Sequence, residues 1–436
     1  MRKQRPLVQG GLNGLLQVSV SRRGVLAGAG GIGLAAALAA CGGSGGSGKN
    51  GSLTIWASNS FAANNSSALA KAGNDFGAAN DVAMTVQGFG ANDLINKITT
   101  TLSGGGGPDI VIVDSSQVAQ LGDAKLLVDL TDRVTPIKDQ FFAGNVAAAT
   151  SKGVTYGVPF DTSNVALFWN KKMFEKAGIA NPPTTWDELR SVAKELTGGD
   201  KYGYMLGAKG YGSFLFWPWL WQNGGKVTNE DYTKATFNDA AGQEAWEFYS
   251  GLHLKDKVVP PTFLGVTDSW DQFEQPFITE QVAMMAAGDF AVAPLKKGNP
   301  GLEYAVAPLP KKINAATVQG GNVVSVTKAA KNVDLAWKFV SWLTSAEQEK
   351  VLQDGYQRLP ARTDVTGSAF ATSDQARSVF VSQAAFAQPR PPVPQWGSIE
   401  WGVMADAWDS VVQGKSSPAD ALNNAATAAT GKLTGN

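Results

Sequence analysis

The chain has 436 residues, a length that predicts two or three domains or one large two-lobed unit. Of these residues 44% are hydrophobic and 17% are charged, a composition typical of a globular protein. A single histidine and a single cysteine exclude a multi-histidine metal site, an internal disulfide framework and a paired-cysteine redox centre. The 37 basic and 37 acidic residues balance, which argues against a broad basic face for nucleic acid. We therefore predict no metal ion, no other cofactor and no nucleic-acid partner.

The N-terminal 40 residues differ from the rest of the chain and follow the order of a bacterial export signal. They hold five basic residues and no acidic one, so the remaining chain carries five more acidic than basic residues. A twin-arginine pattern at Arg22 and Arg23 precedes an apolar run of small residues over 27–37. This run is shorter than the roughly 20 residues that a membrane-spanning helix needs. We predict a twin-arginine signal peptide over residues 1–40.

The only cysteine ends this signal, in the sequence Leu38-Ala39-Ala40-Cys41. That sequence resembles the lipobox of bacterial lipoproteins, in which the cysteine is lipidated and becomes the new N-terminus. The glycine- and serine-rich residues that follow predict a flexible tether over 41–50. Cys41 is thus the predicted lipidation site. Its lipid would anchor an extracytoplasmic protein to the outer face of the bacterial cytoplasmic membrane.

The first part of the body alternates strand and helix patterns. The predicted elements are a strand over 53–56, a helix over 62–76, a strand over 82–87, a helix over 92–102 and a strand over 108–114. This alternation predicts a parallel α/β sheet with crossover helices. Such sheets bind ligands beyond the carboxyl ends of their strands, which places residues 56–59 and 114–117 at one edge of a candidate site.

Strand patterns return in the middle of the chain, and its last third is mainly helical. The predicted strands are 156–160, 165–169, 282–286, 304–307 and 322–326, and the predicted helices are 186–196, 333–343, 346–352, 399–412 and 418–429. Thr185 is the predicted N-cap of one helix, with Glu188 at the capping-box position. No repeat with a period of 20–50 residues is present, which excludes a solenoid or propeller.

Three longer strings in this middle region closely resemble the signature of one family. They are residues 156–161 (YGVPFD), 166–179 (ALFWNKKMFEKAGI) and 183–189 (PTTWDEL). The strings are similar to those of solute-binding lipoproteins of ATP-driven carbohydrate importers, of the maltose-binding type. Shorter strings agree in the same order, from about residue 53 to about residue 422, at 108–111, 217–225, 283–290, 320–321 and 359–362.

The resemblance implies a two-lobed α/β fold of the periplasmic-binding-protein type, with a hinge and a central ligand cleft. The chain would cross between lobes near residues 159–161, 318–321 and 359–362, where proline and glycine suit a hinge that changes φ and ψ. Ordinary turns are the alternative reading of each place taken alone. The implied lobes are 51–160 plus 319–360 for the N-terminal lobe, and 161–318 plus 361–436 for the C-terminal lobe.

Two positions depart from the pattern of the family. The acidic residue expected just after the first crossing is Asp161, with the uncharged Ser163 two residues further on. Phe290 stands where tryptophan is usual. These departures leave the particular sugar open.

The 13 tryptophans favour a carbohydrate ligand, because the C–H face of a sugar ring stacks on an aromatic ring while its hydroxyls need polar partners. By the resemblance, residues 211–217 face the cleft and Trp401 matches a sugar-stacking aromatic residue. The predicted aromatic contacts are Tyr211, Phe214, Trp217, Trp270, Phe290, Trp396 and Trp401, with core packing as the alternative for each. Tryptophans at core positions of predicted elements are expected to pack: Trp169, Trp186, Trp337 and Trp342.

Polar candidates follow the strand ends and the predicted crossings. Asp114 follows a strand and Asp161 follows the first crossing, where each could bind sugar hydroxyls or cap a helix or turn. Arg362 could hold a pair of hydroxyls or form a surface salt bridge. The predicted polar contacts to the ligand are Ser58, Asn59, Asp114, Ser115, Asp161, Gly321 and Arg362.

Together these features predict a binding protein rather than an enzyme. It would capture a sugar or short oligosaccharide between its lobes and present it to the membrane subunits of an ABC importer. Ligand would act by shifting an equilibrium between open and closed forms. A monomer is the expected form of such a hinged carrier.

Two alternatives remain open at this stage. The same fold could bind a glycerol phosphate ester or a polyamine, although we find no convergent basic cluster and only Asp114 and Asp161 as obvious cleft carboxylates. More remotely, a secreted carbohydrate-acting enzyme would need two carboxylates about 5–10 Å apart. The same two aspartates could supply that pair across a cleft.

Overall fold

Two β-sheets organise the part of the chain that the computed structural model describes, residues 50–265, 270–356, 358–366 and 374–435. The first sheet has the strand order β2-β1-β3-β11-β6, and the second has the order β12-β10-β7-β8 with β9 also paired to β7. The strands are β1 (Ser52–Ser58), β2 (Ala83–Phe89), β3 (Ile110–Asp114), β4 (Thr150–Ser151), β5 (Val154–Thr155), β6 (Val158–Pro159), β7 (Ser163–Asn170), β8 (Met284–Gly288), β9 (Tyr304–Ala307), β10 (Thr317–Gly320), β11 (Asn322–Val326) and β12 (Ala387–Gln388). Each sheet forms one α/β lobe with its helices, named here the first and the second lobe.

Helices pack against both sheets. They are α1 (Asn59–Ala62), α2 (Ala68–Asn80), α3 (Ala91–Ser103), α4 (Ser115–Asp123), α5 (Thr131–Val134), α6 (Ala143–Ala148), α7 (Lys171–Lys176), α8 (Trp186–Glu195), α9 (Lys209–Gln222), α10 (Ala240–Leu254), α11 (Trp270–Ile278), α12 (Val292–Gly298), α13 (Val333–Leu343), α14 (Ala346–Tyr356), α15 (Thr363–Thr366), α16 (Gln375–Gln383), α17 (Trp396–Ser398), α18 (Ala405–Val412) and α19 (Pro418–Thr434). A π-helix, Ile399–Met404, leads into α18. Over the described residues, no helix combines the length and the apolarity that crossing a membrane requires.

The first sheet is parallel where the sequence predicts it and antiparallel elsewhere. Strand β1 runs parallel to β2 and to β3. The β-branched run of β3 is buried from Ile110 to Val113, as expected for a strand covered on both faces. Strand β11 pairs antiparallel with β3 and β6. It follows β7 to β10 of the second sheet in the chain, so it returns to the first sheet from the second lobe. The α/β fold with two lobes is therefore confirmed, with mixed rather than purely parallel sheets.

The core of the second lobe explains much of the high tryptophan content. Aromatic rings from α9, α10 and the C-terminal helices pack on one another there. The fully buried tryptophans are Trp217, Trp219, Trp246, Trp396 and Trp408. These rings stabilise the lobe by removing large apolar surfaces from water.

Two of the predicted helices differ in form, and one helix of the second lobe was not predicted. The helix predicted over 62–76 is two helices, because Ser67 caps α2 by accepting a hydrogen bond from the Ala70 N–H at 3.2 Å. The helix predicted over 399–412 begins as a π-helix. The aromatic segment around Pro218, for which no element was predicted, is helix α9. By contrast, the capping box of Thr185 and Glu188 at the start of α8 is confirmed.

The chain crosses between the two sheets more than once. It leaves the first sheet after β6 and enters the second at β7, and it returns at Gly321 between β10 and β11. Leu352 of α14 then packs in the core of the first lobe, whereas Phe380 of α16 packs in that of the second. Gly321 has a φ of +130°, and a Cβ there would lie 2.5 Å from the Asp161 carbonyl oxygen, so this crossing requires glycine.

Candidate functional site

Strand ends of the first lobe bring polar residues to one edge of its sheet. Strands β1 and β3 are neighbours, so Ser58 and Asp114 lie at adjacent carboxyl ends, followed by Asn59 of α1 and Ser115 of α4. Asp114 caps α4, since its Oδ1 accepts hydrogen bonds from the backbone N–H of Ser116 at 2.9 Å and from its hydroxyl at 2.5 Å. The predicted polar edge therefore exists, with Asp114 fixed by the helix that it begins.

The second lobe contributes an aromatic face. The ring of Trp401 stacks on Phe214 with centroids 6.1 Å apart and an interplanar angle of 14°, and it meets Tyr211 edge-on at 6.2 Å. Tyr211 and Phe214 are buried on α9, whereas Trp401 is 37% exposed. The structure thus brings three of the predicted aromatic residues together and leaves one of their rings open to a ligand.

Two other predicted aromatic contacts lie beneath this face rather than on it. Trp217 and Trp396 are fully buried and pack on each other with ring centroids 5.3 Å apart. The indole N–H of Trp217 donates to Glu400 Oε1 at 2.8 Å. The core of the second lobe covers both rings, so neither presents surface to a ligand in this structure.

Arg390 is a residue of this region that the sequence did not reveal. Its guanidinium donates to Glu400 Oε2 at 2.9 Å and to Asp114 Oδ1 at 2.8 Å, and it lies 5.5 Å from the centroid of the Phe214 ring. Burial raises the pKa of the Glu400 carboxyl above its ordinary value, although the charge of Arg390 opposes the rise. Arg390 therefore joins the polar edge of the first lobe to the aromatic face of the second.

The remaining polar candidates brace the crossings between the lobes. Asp161 is fully buried, pairs with Arg358 at 3.1 Å and accepts a hydrogen bond from the Asn322 backbone N–H at 2.6 Å, next to Gly321. Burial raises the pKa of Asp161, while Arg358 and Asn322 oppose the rise. Arg362 binds both carboxylate oxygens of Asp364, at 3.0 Å and 2.9 Å. Protein partners thus occupy the charged groups of Asp161 and Arg362, which explains why neither presents a free charge to a ligand.

Two further candidates lie on the second lobe near the end of β8. Phe290 follows β8 and is half-buried against the core of that lobe. Its neighbour Asp289 is buried and accepts a hydrogen bond from the Leu359 N–H at 2.9 Å. Burial raises the pKa of Asp289 to about 7, against the opposing effect of Arg358. The side chain of Trp270 and the whole of Cys41 lie outside the described part of the chain.

An open groove lies beside Arg390, with a volume of about 730 Å³. Its walls include Ala147 and Ala148 of the first lobe, Trp221 and Tyr232 of the second, and the proline-rich residues 389–392. None of the predicted ligand contacts whose side chains the structure describes lines it. Ser115 instead lines a small neighbouring cavity that also borders Arg390.

The second lobe offers an exposed aromatic ring, and the first offers an edge of hydroxyl, amide and carboxylate groups, two kinds of surface that suit a ligand with an apolar face and a polar rim. Across the described residues, no group of three or more histidine, cysteine, aspartate or glutamate side chains could hold a metal ion.

Comparison with known proteins agrees with the fold. Residues 71–379, more than half of the chain, match the family of bacterial extracellular solute-binding proteins. A putative binding protein of Brucella abortus is 27% identical over 77% of this chain and 82% of its own length. The maltotriose-binding protein of Pyrococcus abyssi is 25% identical over 74% of this chain and 69% of its own. An ABC transporter solute-binding protein of Thermotoga lettingae, solved with α-D-tagatose, is 27% identical and has a TM-score of 0.80, covering 88% of this chain and 99% of that one. The chain belongs to the family of bacterial extracellular solute-binding proteins.

Proposed function

We propose that this protein is the substrate-binding component of an ABC importer and captures a sugar or short oligosaccharide between its lobes. The exposed ring of Trp401 carries the proposal, because a flat aromatic surface stacks on the C–H face of a sugar ring. The relatives named for maltotriose and solved with tagatose support the same ligand class. Hinge closure would then deliver the bound sugar to the membrane permease.

The two lobes have different tasks in this proposal. The first lobe supplies hydrogen-bonding groups and the second supplies aromatic surface, with Trp217 and Trp396 supporting that surface from below. Asp161, Gly321 and Arg362 shape the crossings. The proposed ligand contacts are Ser58, Asn59, Asp114, Ser115, Tyr211, Phe214, Trp270, Phe290 and Trp401.

The same proposal covers the placement of the protein in the cell. The proposed lobes are residues 51–160 plus 321–360 and residues 161–320 plus 361–436, with the return at Gly321, after β10, rather than at the predicted residue 319. A lipid on Cys41 holds this monomeric, non-catalytic body at the outer face of the cytoplasmic membrane. Mass spectrometry of the protein extracted from membranes tests the anchor, since lipidation and cleavage before Cys41 change the mass of the N-terminal peptide.

Thermal unfolding in the presence of candidate ligands tests the ligand class. The panel contains maltose, maltotriose, tagatose, glycerol 3-phosphate and spermidine. A ligand at about 100 times its Kd adds about 2.7 kcal/mol to the free energy of unfolding, which raises the Tm measurably. We expect a rise with a sugar and none with glycerol 3-phosphate or spermidine.

Substitution of the exposed tryptophan tests the site itself. Trp401→Ala removes the stacking surface and is expected to weaken binding of the active sugar about tenfold or more, measured by isothermal titration calorimetry. Phe386→Ala is the matched control, because Phe386 is also 37% exposed and lies elsewhere on the second lobe, between α16 and β12. A sugar that binds Trp401→Ala and the unsubstituted protein equally would contradict the proposed site. Release of product from a bound glycoside would contradict the non-catalytic role.

A further inference from the structure

The guanidinium of Arg390 is buried between groups from both lobes. Its side chain is 3% exposed, in the proline-rich segment that follows β12 of the second sheet. A buried charge requires partners, because burial removes it from water. Arg390 has one carboxylate partner on each lobe, Glu400 and Asp114.

The contact with Glu400 lies wholly within the second lobe. Arg390 Nη1 donates to Glu400 Oε2 at 2.9 Å, and the Trp217 indole N–H donates to Glu400 Oε1 at 2.8 Å. Both Glu400 and Trp217 are fully buried. Separating Arg390 from Glu400 would leave two buried charges unpaired, so Arg390 stays with the second lobe when the lobes move apart.

The contact with Asp114 has a different character. Arg390 Nη2 donates to Asp114 Oδ1 at 2.8 Å and to Ser115 Oγ at 3.2 Å, both on the first lobe. The side chain of Asp114 is 39% exposed, so water can replace Arg390 as its partner. Of the two ion pairs of Arg390, the one with Asp114 is therefore the one that can break and re-form.

We propose that Arg390 is a positioning residue that clasps the first lobe through Asp114 when the lobes close. The clasp stabilises the closed form before any ligand binds. In that form Arg390, and not the ligand, holds the carboxylate of Asp114 in place. This inference deepens the proposed function, since closure is the step that it controls. Because an ion pair with one exposed partner is screened by salt, the clasp weakens as ionic strength rises.

A distance measurement on the ligand-free protein tests the clasp. The full chain carries Cys41→Ser, with spin labels on Val351→Cys of α14 and Ile313→Cys of the second lobe, both exposed positions. Asp114→Asn keeps the shape of the side chain and its helix cap but removes its charge. We expect its ratio of open to closed distances to rise about threefold or more over that of the unsubstituted protein. Raising the salt from about 0.05 M to about 1 M should open the unsubstituted protein and hardly affect Asp114→Asn.

Asp123→Asn is the matched control. Asp123 ends the same helix, and its partner Lys152 also belongs to the first lobe, so the substitution removes one charge and one ion pair without touching the clasp. Its distance distribution should equal that of the unsubstituted protein. Asp114→Glu, which keeps the charge, should restore part of the closed population.

The outcomes separate the clasp from the ligand class. An unchanged ligand-free distribution in Asp114→Asn overturns the clasp, and weaker sugar binding with that unchanged distribution would make Asp114 a ligand contact only. If no sugar of the panel binds, the proposed function fails. The ligand-free distances still decide whether the clasp exists.

Discussion

Arg358 is surrounded by buried carboxyl groups where the lobes meet. It pairs with Asp161 at 3.1 Å, and it also lowers the pKa of the nearby Asp289 carboxyl. Burial and the charge of Asp161 outweigh Arg358 and raise the pKa of Asp289 to about 7. One cation thus lies close to two acids, and burial raises the pKa of both carboxyl groups against its effect.

Because its pKa is raised, Asp289 is expected to make the free energy of unfolding depend on pH. Its pKa in the folded protein, about 7, lies above the unfolded value of 3.8, so the folded protein binds more protons between these values. Its contribution to stability is therefore full below about pH 4 and is lost as the pH rises towards 7. Asp289→Asn, which imitates the protonated acid, should be more stable than the unsubstituted protein at pH 8 by at least about 1.4 kcal/mol. Urea unfolding across this pH range measures the difference, which should vanish near pH 4.

Asp129 provides a control of opposite sign. Hydrogen bonds from Thr131 lower its pKa, so its carboxylate stabilises the folded protein above the unfolded pKa and loses this effect as the pH falls. Asp129→Asn should therefore be less stable than the unsubstituted protein at pH 8. A gain of stability in Asp289→Asn that did not vary with pH would show that packing, rather than proton binding, is responsible.

For single residues, the sequence predicted which side chains belong to the site better than it predicted which residues they contact. Trp401 was predicted because its place in a C-terminal helix matches a sugar-stacking aromatic residue of the family, and the structure leaves its ring exposed on Phe214. Arg390 was missed although it stands ten residues before Glu400, because its other partner, Asp114, is 276 residues away. No local pattern reports a contact of that range.

Elements with a local signal were predicted well. The capping box before α8 and the buried run of β3 need only a few neighbouring residues to be recognised. Helix α9 was missed because it is buried on all sides and holds Pro218 in its interior, so it has neither an apolar stripe nor a regular composition. The π-helix was missed because the apolar residues of α18, which follows it, still recur at helical spacing, so the segment was read as one continuous α-helix.

That π-helix places two consecutive side chains in opposite environments. Glu400 is fully buried against Arg390 and Trp217, whereas Trp401 is exposed. A π-helix holds one more residue per hydrogen-bonded turn than an α-helix, and such insertions occur frequently at functional sites. The pairing of a buried acid with an exposed ring therefore depends on this local register.

Deletion of Gly402 should abolish that register. The shortened segment can form regular α-helical hydrogen bonds, which turns Glu400 and Trp401 relative to α18. Affinity for the active sugar should fall about tenfold or more, measured by calorimetry, while circular dichroism shows a folded protein. Gly402→Ala is the control, because a Cβ at that position meets no atom within 4 Å and leaves the register unchanged. Equal affinity in both variants would mean that the π-helix does not position the ring.

Gly321 connects the two lobes, because the chain returns there from β10 of the second sheet to β11 of the first. Its φ of +130° is reserved for glycine, and an added Cβ would collide with the Asp161 carbonyl at 2.5 Å and crowd Asn145 Nδ2 at 3.1 Å. The following residue, Asn322, is held by Asp161. Strain at this position therefore acts on both lobes at once.

Gly321→Ala should lower the free energy of unfolding by more than about 2 kcal/mol, since it adds a steric collision to an unfavourable φ. Gly178→Ala is the comparison, because Gly178 also has a positive φ, +74°, but open space around it. It should cost only about 1 kcal/mol. Urea unfolding of both variants measures the two costs. Equal costs would show that the crossing tolerates a side chain.

The arrangement of the lobes followed from the family resemblance rather than from local patterns. The strings around residues 156–189 implied two lobes, but they say nothing of strand order. Strand β11 lies between β3 and β6, and its pairing with β3 joins residues more than 200 positions apart. Such a pairing follows from the packing of the whole chain, which a single sequence does not display.

The position of β11 also determines when the first sheet can be completed during synthesis of the chain. Strands β3 and β6 are synthesised early, but the strand that lies between them arrives only with residues 322–326. A growing chain on the ribosome therefore holds an incomplete first sheet, with exposed edges, until about three-quarters of the protein has been translated. The second lobe has by then acquired four of its five strands, β7 to β10. The first sheet is complete once β11 is made, whereas the second still lacks β12, at residues 387–388, and the helices that follow it.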